Sequence, residues 1–454
     1  MIKKPVRVTR LGRRGTFQFI ALSIIFIAVF HAPTPSAFLG WWPDTLRPES
    51  LVILVAGAVL VARSGLPKVL ESLFVAFAVT IVAVFISVFW SYFILSVPFD
   101  IRDFADVFIL LVNFFTLLLA YKFAARFGNI YLKVLLILVV SSLIIQLGVT
   151  VAQMLGVEAV IKVSNLWWSK DYLGNNSLLM SRPPGTTANS IALGTIAGLM
   201  SVFMHGMGAG NTWRLRMIGA IGLITAIIIV VLTKSRTGLV TIVVANVIYL
   251  LLIMRAPGWQ RKLTSGTFRI FVVGALFLIV GFVFTLTLPA DSRANSILLD
   301  SAIRLQQRVD NSLTYGLQEQ EGGIGRVNDA VLVLNQISES PLFGMGPEQS
   351  LGRSWFHSSY FTLLWRYGWV GTIAYLGLYF IAFLLMWQGY KKKSTLLLSA
   401  TAFSVIFGVL LAGIAQYTFI GDRQVAFWIW LIVGTILGMT RHLRVKDAET
   451  GITL

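Results

Sequence analysis

Residues 217–254 read MIGAIGLITAIIIVVL, then TKSRTG, then LVTIVVANVIYLLLIM. Each apolar run approaches the roughly 20 residues a helix needs to cross a hydrocarbon core about 30 Å thick, and only the polar stretch Thr233–Gly238 separates them. Backbone groups inside hydrocarbon must be satisfied within the segment itself, so both runs are helices, and the chain barely emerges between them. Working outward, similar runs recur at 16–31, 49–62, 71–97, 107–122, 131–156, 188–205, 216–233, 238–254, 269–289, 359–388, 395–416 and 424–440. The second is short for a full span. The pattern predicts an all-α polytopic membrane protein with about 12 transmembrane helices.

Composition agrees. The 454 residues are 57% hydrophobic and 12% charged, against roughly a quarter charged in soluble domains. We expect a single membrane domain over 1–454, with two long outer loops at 157–187 and 290–358. The larger loop, between helices nine and ten, holds amphipathic stretches at Ser296–Val309 and Val327–Ile337 that suit helices lying on the membrane surface. Cysteine is absent, which removes disulfides, thiolate nucleophiles and thiolate metal sites. The first apolar run is followed by His31, Ala32, Pro33, Trp41 and Trp42 rather than a small-residue cleavage site, so it reads as a retained anchor.

The formal charge of +18 is a topology signal. With a cytoplasmic N-terminus, the inner connections collect Lys3, Lys4, Arg63, Lys68, Lys122, Arg126, Lys133, Arg214 and Arg216. Arg255, Arg261, Lys262, Arg269, Lys391, Lys392, Lys393, Arg441, Arg444 and Lys446 follow suit. This is the positive-inside bias of an inner-membrane protein with both termini cytoplasmic, its cations facing anionic lipid heads. Nucleic acid is not the partner that this placement implies.

Against that bias, the few outer cations stand out. Arg182 opens Arg182-Pro183-Pro184-Gly185-Thr186-Thr187-Ala188-Asn189 before an apolar helix. A turn at a helix N-terminus beside a guanidinium suits a phosphate, though an ordinary capped loop with a solvated arginine has the same sequence. Lys234 and Arg236 occupy the tight turn quoted above, where they either snorkel to lipid phosphates or face a common anion. Arg326 follows Gly322-Gly323-Ile324-Gly325. His357 opens the tenth helix in His357-Ser358-Ser359-Tyr360, with Arg366, Gly368 and Gly371 further in. Histidine suits a general base near neutral pH, but one at a helix start is more often a cap or surface residue. Asp100, Asp103 and Asp106 share one helical face and read as a solvated helix entry. Cys/His metal sets, P-loops, dinucleotide fingerprints and HExxH are absent, and nothing here demands a metal or cofactor.

These residues together resemble the O-antigen ligase and polysaccharide polymerase superfamily of bacterial membrane glycosyltransferases. Arg182 to Thr186 with Asn189 match its Arg-x-x-Gly-Thr segment, and Ser235 to Gly238 match its Ser-Arg-x-Gly turn. His357-Ser358, nine residues and Gly368-Trp369-Val370-Gly371 match the end of its large outer loop, and Pro341-Leu342-Phe343-Gly344-Met345-Gly346 is similar as well. The first five helices match only in hydrophobicity and count.

The resemblance implies a GT-C-type glycosyltransferase fold acting at the periplasmic face on an undecaprenyl-pyrophosphate-linked oligosaccharide. His357 would be the base. Arg182, Arg236, Arg326 and Lys234 would hold the pyrophosphate, with Gly185, Asn189, Ser235, Tyr360 and Arg366 in support and no metal. The acceptor is a second lipid-linked glycan in a polymerase of O-antigen or exopolysaccharide, with a chain-length regulator as a further partner, or lipid A core in a ligase. The Trp365-Arg366-Tyr367-Gly368 setting leans toward the polymerases. A lipid-linked oligosaccharide flippase is the alternative of another class, but transporters place their unusual residues near mid-membrane, whereas here they cluster at outer ends.

Overall fold

The computed structural model describes residues 48–98, 101–164, 183–187, 189–208, 213–255, 330–346, 358–391, 395–415 and 423–450. These form α1 (Pro48–Ser64), α2 (Glu71–Phe93), α3 (Ala105–Phe127), α4 (Asn129–Met154), α5 (Glu158–Ser164), α6 (Ser190–Gly208), α7 (Trp213–Leu232) and α8 (Arg236–Met254). A short helix, α9, covers 330–337, and α10 (Ser359–Tyr390), α11 (Leu396–Ala415) and α12 (Arg423–Thr450) complete the set. Among the described residues no strand occurs, and eight helices are long and apolar enough to cross a membrane, with Ser190–Gly206 a shorter apolar one. The protein is an all-α, multi-pass membrane protein. The expected helices at 16–31 and 269–289, and the stretch Ser296–Val309, lie outside the described residues.

The apolar residues divide into two sets. Val75, Val79, Val82, Ile86, Phe89 and Phe93 of α2 are exposed and recur at helical spacing on one face, the stripe expected of a helix that faces lipid. The other set packs around α12, whose apolar window is 89% buried. Lipid tails offer no hydrophobic drive between helices, so close backbone approach has to supply the contact. Gly434-Thr435-Ile436-Leu437-Gly438 provides it: a Cβ at either glycine would meet the α3 backbone at Leu117 or Tyr121. Gly194-Thr195-Ile196-Ala197-Gly198 does the same for α6 against Ser235, Gly238 and Thr241 of α8.

Alternating helices give the bundle two ends. At one, Lys122 Nζ donates to Ser64 Oγ at 3.0 Å, Arg441 Nη1 donates to the Tyr121 hydroxyl at 3.1 Å, and Tyr390 Oη donates to the Leu252 carbonyl. The other end gathers the starts of α3, α6, α8 and α10 and therefore the sequence motifs. His205 and His442 belong with the first, basic end. His205 is fully buried with Nδ1 2.9 Å from Asn246 Oδ1, and His442 Nδ1 lies 3.1 Å from the Ala125 carbonyl.

Two local differences from expectation have simple causes. The last helix runs on past residue 440 because Arg441 and His442 still find partners on α3. α5 is a single amphipathic turn pair in the 157–187 loop, held where Gln153 Nε2 donates to Ser164 Oγ at 2.9 Å. Within the Val327–Ile337 stretch, the described helix 330–337 buries Val333 and Ile337 against Leu364 and Trp365 of α10, with the Trp365 indole donating to Gln336 Oε1 at 2.7 Å, and leaves Val331 and Leu334 exposed on its other face.

Candidate functional site

The motif end is built around a break in α10. Gly368 has φ 60° and ψ −164° inside an otherwise helical run, a conformation that disfavours any side chain with a Cβ. A break there frees the carbonyls of Trp365 and Arg366 and the amides of Trp369 and Val370, four groups that would be costly to leave unpaired. The turn 341–346 satisfies all four. The amides of Met345 and Gly346 donate to the Trp365 and Arg366 carbonyls at 2.7 and 3.0 Å, and those of Trp369 and Val370 donate to the Pro341 and Leu342 carbonyls at 3.0 and 3.1 Å. Backbones this close leave no room for side chains: a Cβ on Gly344 would sit 2.5 Å from the Gly368 nitrogen, and one on Gly346 would strike Ser91. The Pro341–Gly346 and Gly368–Gly371 motifs are thus two halves of one joint.

Arg366 locks this joint from both sides. Its carbonyl accepts from Ser87 Oγ at 2.6 Å, while its guanidinium Nη1 donates to Asp106 Oδ2 at 2.9 Å, with both side chains about nine-tenths buried. The Tyr367 hydroxyl donates to the same carboxylate oxygen. Asp103 is buried as well. These two aspartates are therefore not the solvated helix entry that their spacing suggested, and Asp106 is a residue that sequence reasoning passed over. The signal was present: an arginine well inside an apolar helix demands a buried counter-ion.

The second motif is held by α4. Gln153 and Gln146, two turns apart, reach the loop 183–187 in parallel. The Gly185 amide donates to Gln153 Oε1 at 2.9 Å, Gln153 Nε2 donates back to the Gly185 carbonyl at 2.8 Å, and the Thr186 amide donates to Gln146 Oε1 at 2.9 Å. Gly185 has φ 62°. Asn189 caps α6, its Oδ1 accepting from the Ala192 amide at 2.7 Å. The amides of Gly185, Thr186, Thr187 and Ala192 are thus taken up in shaping this loop and capping the helix. Arg182 lies outside the described residues.

The third motif is the turn between α7 and α8. Ser235 caps α8 by accepting from the Gly238 amide at 3.1 Å, and Lys234 takes the left-handed conformation at φ 52°. Lys234 is 2% exposed and Ser235 1%, so this lysine does not snorkel to lipid: the turn points into the protein. A Cβ on Gly238 would meet the Gly194 carbonyl oxygen at 2.5 Å, and one on Gly194 would meet Ser235. Through that contact the second and third motifs share one corner of the bundle.

The fourth motif begins where α10 does. Ser358 Oγ donates to the Gly413 carbonyl at 3.3 Å, and the Tyr360 hydroxyl donates to the Leu410 carbonyl at 2.7 Å, fixing the start of α10 on the end of α11. Tyr360 is thereby a packing residue. Arg366 lies two turns deeper and faces α3. His357 and Arg326 lie outside the described residues. Among the described candidates, Gly185, Asn189, Lys234, Ser235 and Arg236 gather around the starts of α6 and α8, while Tyr360 and Arg366 organise α10.

Residues 221–376 match the family model described as O-antigen ligase. The matched segment takes in the Lys234–Gly238 turn, the turn 341–346 and the α10 break, and it begins beyond the Arg182–Asn189 loop. No curated protein matches the chain.

Proposed function

We propose, from the premise that residues 221–376 carry the O-antigen ligase pattern and so support the O-antigen ligase and polymerase superfamily, that this chain is an inverting glycosyltransferase. It acts at the periplasmic face of the inner membrane on a glycan linked to undecaprenyl pyrophosphate. The acceptor is the sugar end of a second lipid-linked repeat unit, which makes the protein a polymerase of O-antigen or exopolysaccharide. Transfer to lipid A core is the second reading, favoured by the description of the matching family.

The mechanism follows from the groups available. An acceptor hydroxyl attacks the anomeric carbon as the bond to the pyrophosphate oxygen breaks, and His357 takes the hydroxyl proton. Direct displacement inverts the anomeric configuration. The leaving pyrophosphate gains negative charge, which Lys234, Arg236, Arg182 and Arg326 stabilise without a metal. The surrounding GT-C-type fold brings the lipid carrier alongside from the bilayer.

The observation that carries this reading is the match of residues 221–376 to the O-antigen ligase pattern, a segment whose tight Lys234–Gly238 turn faces into the protein, with Lys234 2% exposed. The rigid joint of Gly344, Gly346 and Gly368 supports it further, since the segment leading to His357 departs from Gly346 and returns at the fixed Ser358. Purified protein supplied with a lipid-linked repeat unit tests the assignment. Chain growth on the lipid carrier in the absence of lipid A core is expected. Transfer only when lipid A core is added replaces the polymerase by the ligase.

A further inference from the structure

The basic end of the bundle, some 24 Å from Asp106 along α3 by the helical rise of 16 residues, holds a cavity of about 500 Å³ whose lining includes Lys68, Lys122, Arg441 and Arg444. Among the described residues no carboxylate lines it. Two of these cations have neutral partners. Lys122 Nζ donates to Ser64 Oγ at 3.0 Å and to the Gly65 carbonyl at 3.5 Å, and Arg441 Nη1 donates to the Tyr121 hydroxyl at 3.1 Å. Like charges gathered this way repel one another unless an anion joins them.

Two further features describe the occupant. Ser399 also lines the cavity. It is 1% exposed, and its Oγ makes no hydrogen bond, so one buried polar group awaits a partner. Leu385, Met386 and Leu437 supply an apolar wall beside the cations. A cationic rim over an apolar wall is complementary to an amphiphile with an anionic head.

We propose that this cavity is a binding site for a phosphate group carried by an anionic lipid: the headgroup phosphate sits among Lys68, Lys122, Arg441 and Arg444, and an acyl chain follows Leu385, Met386 and Leu437. The positive-inside placement of these residues puts the site at the inner leaflet. It is separate from the motif end and does not rest on the reaction proposed there. Its role is to seat the basic end of α3 and α12 against the leaflet.

The test is native mass spectrometry of the full-length protein in detergent, titrated with dioleoyl phosphatidylglycerol, with dioleoyl phosphatidylcholine as the neutral comparison. Each cation near an anionic headgroup is worth about five-fold in affinity, so Lys122→Gln with Arg444→Gln is expected to weaken phosphatidylglycerol retention roughly 25-fold. Phosphatidylcholine retention stays unchanged. The charge-preserving pair Lys122→Arg with Arg444→Lys retains phosphatidylglycerol, as does Lys133→Gln, an exposed basic-end lysine outside the cavity. Millimolar inorganic phosphate leaves the lipid in place if the headgroup is the occupant; phosphate that displaces it assigns a free anion to the cavity and overturns the lipid. Equal phosphatidylglycerol retention by wild type and the double glutamine variant, or an equal loss in Lys133→Gln, overturns the site.

Discussion

Replacing Gly368 by alanine tests the joint on which the motif end is built. The residue has φ 60° and ψ −164°, a region almost exclusive to glycine where an L side chain costs roughly 1–3 kcal/mol. The new Cβ also strikes the Leu342 backbone and meets the Gly344 nitrogen at 2.6 Å, so the turn 341–346 has to retreat. Its retreat gives up four backbone hydrogen bonds, each worth about 1 kcal/mol net. Strain and partial loss of those bonds together weaken docking by roughly 3–5 kcal/mol, or about two to four orders of magnitude in the opening equilibrium. Hydrogen exchange in detergent reads this at the amides of Met345, Gly346, Trp369 and Val370, which are expected to exchange faster by that factor. Gly377→Ala, on the same helix with nothing within 4 Å of the added carbon, leaves them unchanged. Wild-type exchange in folded Gly368→Ala refutes the account of the joint.

Other perturbations read other parts of the site. Arg366→Gln leaves Asp106 buried without its cation and is expected to cost about 3–5 kcal/mol; adding Asp106→Asn recovers a large part, measured as thermal unfolding in detergent. Gln153→Ala removes both clamps on Gly185 and is expected to lower donor use without blocking insertion, seen as a raised KM for the lipid-linked glycan. Gly238→Leu forces α8 off the Gly194 backbone and is expected to abolish folding, whereas Gly148→Ala, with open space around it, is neutral. A chelator is expected to leave glycan transfer intact, because side-chain cations supply the charge; strong inhibition reverses the metal-free mechanism.

Much of this was readable from sequence, for identifiable reasons. Helix existence followed from apolar runs such as 217–232 and 239–254, since hydrocarbon permits no other backbone solution for an unpaired segment. The polar turn between them marked Ser235 and Gly238, and the structure adds that Gly238 serves contact with Gly194 across the bundle, which no local pattern states. The glycines of 344, 346 and 368 were visible as motifs, yet their mutual contact joins positions more than twenty residues apart. Gln146 and Gln153 were hidden in an apolar helix because a glutamine there gives no sign of the loop it will hold. The aspartate at 106 was misread because spacing alone cannot distinguish a solvated face from a buried one; Arg366 was the clue. The packing of α9 on α10 was not readable, since amphipathicity reports that a face will be buried and not whether lipid or protein buries it.

In the reaction we propose, His357 takes the acceptor proton during glycan transfer. The most direct measurement is the rate of transfer from a lipid-linked repeat unit by purified wild-type and His357→Ala protein, each shown to be folded by thermal unfolding in the same detergent. Loss of a general base is expected to slow transfer by about 10²–10⁴-fold with an unchanged unfolding temperature, while a wild-type rate in His357→Ala contradicts the account.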